Sequence, residues 1–324
     1  MKAAMIMAAG KTPVYGEFKE PMVSEGMDVI TVAASALSNL TKGRASGSHY
    51  SSESVYPMVP GVDGVGRTAD GRRVYFVLPE APFGAMAEKA LVESQRLLPV
   101  PDGLDDVTAA ALANPGMSAW AALVVRAKFV KGETVLINGA TGAAGKIAVQ
   151  VAKYLEAGKI IVSGRNALEL EALKKLGADV AIPFTLDGSK ADGAQEFETA
   201  LKAEFQGGVD VVIDYLWGTS AKTIIVAIVK AVEDAHPVRF VQVGSAGGEE
   251  SIELPSSALR SSAIVLMGSG LKSVAMPKLL EAIAKTFEIA ATRGLEIDVR
   301  RVPLKDVAET WSAGGKARVV YTIA

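Results

Sequence analysis

Two patterns of apolar residues divide the chain. Over residues 1–112 short apolar runs, among them 28–33, 74–78 and 96–100, are separated by Asp70-Gly71, Pro101-Asp102-Gly103 and similar turn formers. Runs of that length between Gly, Pro and Asp predict antiparallel strands. The opening Met-Lys-Ala-Ala-Met-Ile-Met-Ala-Ala has the charge and apolar run of a signal peptide. Its apolar part is at the lower length limit and Lys11 follows closely, so a first strand is expected. Near Asn114-Pro115-Gly116 the pattern changes. Apolar runs at 134–138, 159–163, 209–214, 239–244 and 263–268 now alternate with helical stretches. In the first of these stretches Ile147, Val151 and Leu155 fall four apart on one face, beside Ala148 and Ala152. Such alternation predicts βαβ units around a parallel sheet covered on both faces. A helix over 276–293, a strand near 296–300 and a last run over 317–323 close the chain.

The first parallel strand leads into Gly139-Ala140-Thr141-Gly142-Ala143-Ala144-Gly145 and then the amphipathic helix. The spacing Ala140-x-Gly142-x-x-Gly145 matches the dinucleotide fingerprint with Ala at its first position. Gly142 would let the backbone approach a pyrophosphate, and Gly145 would let helix and strand pack closely. The helix N-terminus offers unpaired N–H groups to the phosphates. A tight, ligand-free turn is the bland alternative. About 20 residues further on, an acidic residue selects NAD, whereas Arg accommodates the 2′-phosphate of NADP. The second strand ends Ser163-Gly164-Arg165-Asn166, with Arg165 twenty residues beyond Gly145. NADPH is therefore expected over NADH, with Ser163 and Asn166 adding hydrogen bonds; a solvated surface Arg is the alternative. Ligands lie beyond the carboxyl ends of parallel strands. That rule adds Tyr215, Leu216 and Trp217 after one strand. It adds Val243, Gly244, Ser245, Ala246 and Gly247 around the end of the next, and Gly268, Ser269 and Gly270 after the last.

Composition narrows the chemistry. The chain has 324 residues, 49% hydrophobic and 22% charged, with net charge −2. That is enough to bury a core in two domains, and it carries no basic excess that would draw nucleic acid or an anionic membrane. No partner of either kind is expected. No apolar stretch reads as the roughly 18 residues of a membrane span. There is no Cys and there are two His, so disulfides, thiolate zinc sites and His clusters are excluded. A cytoplasmic location fits that composition.

Several motifs in order resemble the medium-chain dehydrogenase/reductase superfamily, and within it the zinc-free NADPH:quinone oxidoreductase group to which zeta-crystallin belongs. They are Val59-Pro-Gly-Val-Asp-Gly-Val-Gly66, Gly84-Ala-Met-Ala-Glu88, Asn114-Pro-Gly-Met-Ser-Ala-Trp120, the glycine loop, Leu176-Gly-Ala-Asp179, Gly208-Val-Asp-Val-Val-Ile-Asp214 and Phe240-Val-Gln-Val-Gly244. The resemblance implies an α/β protein in which a Rossmann doubly wound parallel sheet, residues 116–270, is inserted into a GroES-like β-rich catalytic domain, residues 1–115 and 271–324. It implies a homodimer and a cofactor cleft between domains. It places Met117 and Ser118 near the pyrophosphate or nicotinamide and Phe184 near the adenine, with core packing the alternative for Phe184 and Trp217. Zinc-dependent members carry Gly-His-Glu where this chain reads Gly61-Val62-Asp63, and Val62 cannot bind metal.

Without zinc, the charge left by hydride transfer needs another home. A quinone or enone supplies one by delocalising it, so a small conjugated acceptor is expected, with a 2-enoyl thioester reductase or a non-enzymatic NADPH-binding protein as alternatives. In the family's cleft loop, Ser46-Gly-Ser-His49-Tyr50-Ser-Ser, Tyr50 and His49 are the candidate proton donors; a polar surface turn is the other reading. Ser38, Asn39 and Thr41 match the family's polar stretch poorly.

Overall fold

The computed structural model describes residues 1–53 and 55–323. They form two compact units, Met1–Asn114 with Ile283–Ala324, and Pro115–Ala282.

The first unit opens with β1 (Lys2–Met5) and β2 (Val14–Glu17), an antiparallel pair. β3 (Met27–Ala36) runs into α1 (Asn39–Ser46), then β4 (Asp63–Arg67), β5 (Arg73–Val77), β6 (Lys89–Glu93) and β7 (Leu97–Pro99). Along β3, Ile30, Val32 and Ala34 are buried, the two-residue period of a strand with one face on a core. Ile30 and Val32 pack with Val74, Phe76, Ala90 and Val92 where β5 and β6 cross the same core. Ser38 caps α1 by accepting the Thr41 N–H at 3.0 Å, and Gly47, at φ +80°, ends it. Helix α2 (Asp106–Trp120) carries the chain into the second unit.

There β8 (Thr134–Asn138), α3 (Ala143–Tyr154), β9 (Lys159–Gly164), α4 (Ala167–Ala172), β10 (Val180–Pro183), α5 (Gly193–Phe205), β11 (Val211–Asp214), α6 (Gly218–Ala231), β12 (Pro237–Gln242), α7 (Ser256–Arg260) and β13 (Ala263–Gly268) follow in turn. The strands form a parallel sheet in the order β10-β9-β8-β11-β12-β13. That is the doubly wound dinucleotide-binding order, with its switch point between β8 and β11. Val135, Leu136, Ile137, Val211, Val212 and Ile213 are fully buried, as strands covered on both faces require. Helix α8 (Met276–Arg293) leads back to the first unit. There β14 (Val299–Pro303), α9 (Val307–Thr310) and β15 (Arg318–Thr322) complete it: β15 pairs antiparallel with β3, Val320 opposite Ala36. Among the described residues the larger sheet of this unit runs β14-β15-β3-β4-β5-β7, with β6 on β3.

The structure corrects four expectations. Helical structure does not wait for the change of pattern near Asn114-Pro115-Gly116: α2 starts at Asp106, inside the stretch read as strands, and continues through Pro115. The run from Asp106 to Arg126 is 21 residues long and apolar enough to cross a membrane, contrary to the sequence reading. Most of it is buried within the protein, and Ala109, Ala110, Ala111, Leu112, Ala113, Ala119, Ala121 and Ala122 account for its apolarity as core contacts. Residues 271–282 pack with the parallel sheet's unit, because Val274 and Leu279 cluster with Ala121. Finally, β12 stops at Gln242: the N–H groups of Val243 and Gly244 turn to the carbonyl of Asp214, at 2.8 and 3.3 Å.

Candidate functional site

The glycine loop leaves β8 at the switch point. Gly139 lies at φ +82°, and a Cβ there would come within 2.9 Å of Leu216 Cγ. The N–H groups of Gly139 and Ala140 both donate to the carbonyl of Ser163, at 2.9 and 3.1 Å, so the loop is stitched to β9. At Gly145 a Cβ would lie 2.5 Å from Ala140 Cα and 2.6 Å from the Gly139 carbonyl oxygen. That is the close helix-to-strand approach the motif requires. Gly142 is different. It caps α3 in an extended conformation, φ −72°, and a Cβ there would meet no atom nearer than the Gly139 oxygen at 3.6 Å. Neither packing nor backbone geometry demands glycine at this position. The first turn of α3, from Ala143 to Gly145, has N–H groups with no preceding helical carbonyl, and it holds no acidic residue and no side-chain cap. The space over Gly142 and these donors together suit a phosphate group.

Under the loop lies a buried polar network. Ser163, Asn138 and Asp214 stand side by side in register at the ends of β9, β8 and β11. The Ser163 hydroxyl donates to Asn138 Oδ1 at 2.8 Å, and Asn138 Nδ2 donates to Asp214 Oδ1 at 2.8 Å and to Ser220 Oγ at 2.9 Å. The Asp214 carboxylate also accepts the N–H groups of Leu216 and Trp217, each at 3.1 Å. Burial pushes the Asp214 carboxyl up to about 6, against the pull of these donors. The network holds Trp217 at φ +61°, a conformation strained for any residue but glycine. Sequence reasoning missed Asp214 and Asn138. It gave Ser163 to the cofactor, whereas the buried Ser163 hydroxyl is committed to Asn138.

On the first half of the sheet Arg165 is exposed, immediately past β9. Its charge reaches Asp187, whose carboxyl is held below the usual range chiefly by bonds from Ser189, with Arg165 adding attraction. Asn166 is the N-cap of α4: its Oδ1 accepts the Glu169 N–H at 3.2 Å, which explains the residue without a ligand. Phe184 is buried in the core, its ring 4.7 Å from that of Phe197, so packing accounts for it.

On the second half, Tyr215 is buried and its oxygen lies 3.5 Å from Ser118 Oγ, so two expected residues meet there; burial pushes its hydroxyl up to about 12. Trp217 is half-buried against the core of this unit. Ser245 and Ala246 are exposed, and Ala246 and Gly247 are tied back to the carbonyls of Tyr215 and Leu216, both at 3.0 Å. Beyond β13, Gly268 accepts from Arg126 Nε at 2.7 Å, Ser269 is buried, and the Gly270 N–H is taken by Ser273 Oγ at 2.8 Å.

His49 and Tyr50 belong to the other unit. Their rings stack with centroids 4.1 Å apart, His49 Nδ1 is 2.8 Å from Ser51 Oγ, and Tyr50 is 61% exposed. Burial, then the Arg44 charge, hold His49 below its usual range. Ser38 and Thr41 are spent on the cap of α1, their hydroxyls 2.9 Å apart. Val62 is buried, and beside it Asp63 accepts the Tyr75 hydroxyl at 2.8 Å. Burial raises the Asp63 carboxyl to about 6, partly offset by Arg318 and Tyr75.

A Rossmann sheet with a glycine loop at its switch point, in one chain with a β-rich GroES-like unit closed by the C-terminal strand, defines a nucleotide-dependent oxidoreductase architecture. Comparisons with known proteins agree. Residues 143–285 match the family described as zinc-binding dehydrogenase. An Emericella nidulans protein named "probable NADPH-dependent quinone reductase" is 26% identical over 96% of both chains. The 2-methylene-furan-3-one reductase of Solanum lycopersicum is 28% identical over 60% of this chain and 56% of its own. The quinone oxidoreductase of Thermus thermophilus, solved also with NADPH, superposes with a TM-score of 0.80 at 25% identity, over 99% of this chain and 100% of that one. In sequence and fold the chain is similar to medium-chain dehydrogenase/reductases of the quinone oxidoreductase type. The matched segment does not include Gly61-Val62-Asp63, where zinc-dependent members carry a ligand.

Proposed function

We propose that the chain is a zinc-independent, NADPH-dependent reductase that passes hydride to a small conjugated acceptor, a quinone or an enone. The observation that carries this reading is Gly142, a glycine the protein's own packing does not require, set before the unpaired N–H groups of α3. Ala143, Ala144 and Gly145 would hold the pyrophosphate, Arg165 the 2′-phosphate, and the loops after β11, β12 and β13 the other half of the dinucleotide. When bound, NADPH supplies the hydride. The chain's part is to orient it and to leave the developing negative charge on the acceptor, where conjugation spreads it. Val62 and the absence of Cys support zinc independence. The relatives named for quinones and for a furanone with an exocyclic double bond support the acceptor class. Val265 and Leu266, 46% and 39% exposed on the edge strand β13, support a homodimer, which sedimentation at several concentrations would test.

The decisive assay is NADPH oxidation against quinones, enones and enoyl thioesters, with and without a chelator. Turnover of the first two that ignores the chelator is expected; chelator-sensitive turnover, or thioesters preferred, overturns the reading.

The two glycines of the loop separate folding from binding. Gly145→Ala forces Cβ against backbone and is expected to cost about 2–3 kcal/mol of stability, seen as a lower urea midpoint at unchanged slope. Gly142→Ala fits the free protein and is expected to leave that midpoint in place, while weakening NADPH at least tenfold, about 1.4 kcal/mol. Unchanged NADPH affinity in Gly142→Ala would remove the loop as the phosphate site.

A further inference from the structure

Helix α6 begins without a cap of its own. Its N-cap, Trp217, makes no side-chain cap bond, and the Trp217 N–H is already taken by Asp214. The missing acceptor comes from the loop after β12. Glu249 Oε1 accepts the Thr219 N–H at 3.0 Å, and Glu249 Oε2 accepts the Thr219 hydroxyl at 3.0 Å. Gly218, at φ +64°, leaves the space this needs: a Cβ there would lie 2.5 Å from Glu249 Oε1. A carboxylate at a helix N-terminus is also favourably placed against the helix dipole.

The same loop is fastened at two further points, Ala246 to the carbonyl of Tyr215 and Gly247 to that of Leu216. At Gly247 a Cβ would fall 2.7 Å from the Leu216 oxygen, so the two segments are in direct contact. Loop 243–249 is therefore fastened along turn 215–219 in three successive steps, and Glu249 closes the far end with two bonds. The loop includes Gly244, Gly247 and Gly248. Glycines leave a backbone with much freedom to lose, and a loop not ordered beforehand must be ordered when a ligand binds.

We propose that Glu249 is a positioning residue: by bonding Thr219 it holds loop 245–248 against turn 215–218 and so sets the surface that receives the nicotinamide half of the dinucleotide. This rests on the NADPH reading above. In a doubly wound sheet the half containing β8, β9 and β10 takes one mononucleotide and the half containing β11, β12 and β13 the other. Glu249 acts on the second half alone.

The test compares dissociation constants of NADPH and of 2′,5′-ADP, which lacks the nicotinamide half, for the unaltered protein, Glu249→Ala and Glu249→Gln. Glu249→Ala is expected to weaken NADPH about tenfold and to leave 2′,5′-ADP within about twofold. Glu249→Gln keeps an acceptor for the Thr219 N–H and a donor for its hydroxyl oxygen, and is expected to recover NADPH affinity to within about twofold. Equal NADPH affinity in the unaltered protein and Glu249→Ala overturns the proposal. So does an equal loss for both nucleotides, which would mark Glu249 as a general structural cap. If the unaltered protein binds neither nucleotide, the NADPH reading fails and the proposal goes with it.

Discussion

Asp214→Ala is expected to destabilise the unit that carries the parallel sheet by about 3–5 kcal/mol, a drop in Tm on the order of 10 °C. The substitution removes the acceptor of three donors at once: the Leu216 N–H, the Trp217 N–H and the Asn138 side-chain amide. All three lie at or under the glycine loop, and buried donors left without a partner cost about 1–3 kcal/mol each. It also releases Trp217 from its strained φ, so the turn after β11 would relax away from the geometry on which Gly139 and Leu216 meet. The effect carries a pH signature. Burial has raised the Asp214 carboxyl to about 6, so the folded chain binds this proton more tightly than the unfolded chain does. The stability this group contributes is therefore full below the ordinary carboxylate value and is lost as pH rises through about 6. Alanine has no such proton. The difference in stability between the two proteins should be larger at pH 5 than at pH 8. A difference that is flat, or that grows with pH, would show that Asp214 is not the buried carboxyl described above.

This network also marks where the sequence stopped being informative. The strands at 134–138 and 263–268 coincide with β8 and β13, because uninterrupted Val, Ile and Leu between turn formers leave little choice. β10 went unseen: four residues ending in Pro183 are too short to show a period. Asn138 and Asp214 lie 76 residues apart, and only the register of β8 on β11 makes them neighbours. Ser163 was visible as a polar residue at a strand end. Nothing in the chain says whether its hydroxyl turns toward a ligand or toward Asn138, and packing decides the second. Phe184 was ambiguous for the same reason, since an aromatic after a strand reads equally as a wall of a site or as core, and its ring packs in the core. The glycine loop was legible because its constraint is local. Gly139 needs a positive φ, and Gly145 must admit the backbone of Ala140 five residues earlier. Glu249 had no local signal at all, because its partner lies thirty residues back at the start of another helix.

Arg165→Ala is expected to raise the dissociation constant of NADPH about fiftyfold, the equivalent of about 2.3 kcal/mol, and to leave that of NADH nearly unchanged. Arg165 stands exposed past the end of β9, where a guanidinium can take a phosphate with two parallel bonds. Its neighbourhood makes the loss sharper than removal of one cation would. Asp187 lies close enough to feel the Arg165 charge. With the guanidinium gone, the Asp187 carboxylate would face the 2′-phosphate without a counter-charge, whereas the uncharged 2′-hydroxyl of NADH meets no such repulsion. The two cofactors should therefore converge in affinity through a loss on one side only. Salt distinguishes this from a general weakening: NADPH binding by the unaltered protein should fall as ionic strength rises, and binding by Arg165→Ala should depend on salt much less. Parallel losses for NADPH and NADH, or a salt dependence that the substitution leaves intact, would place the 2′-phosphate somewhere other than Arg165.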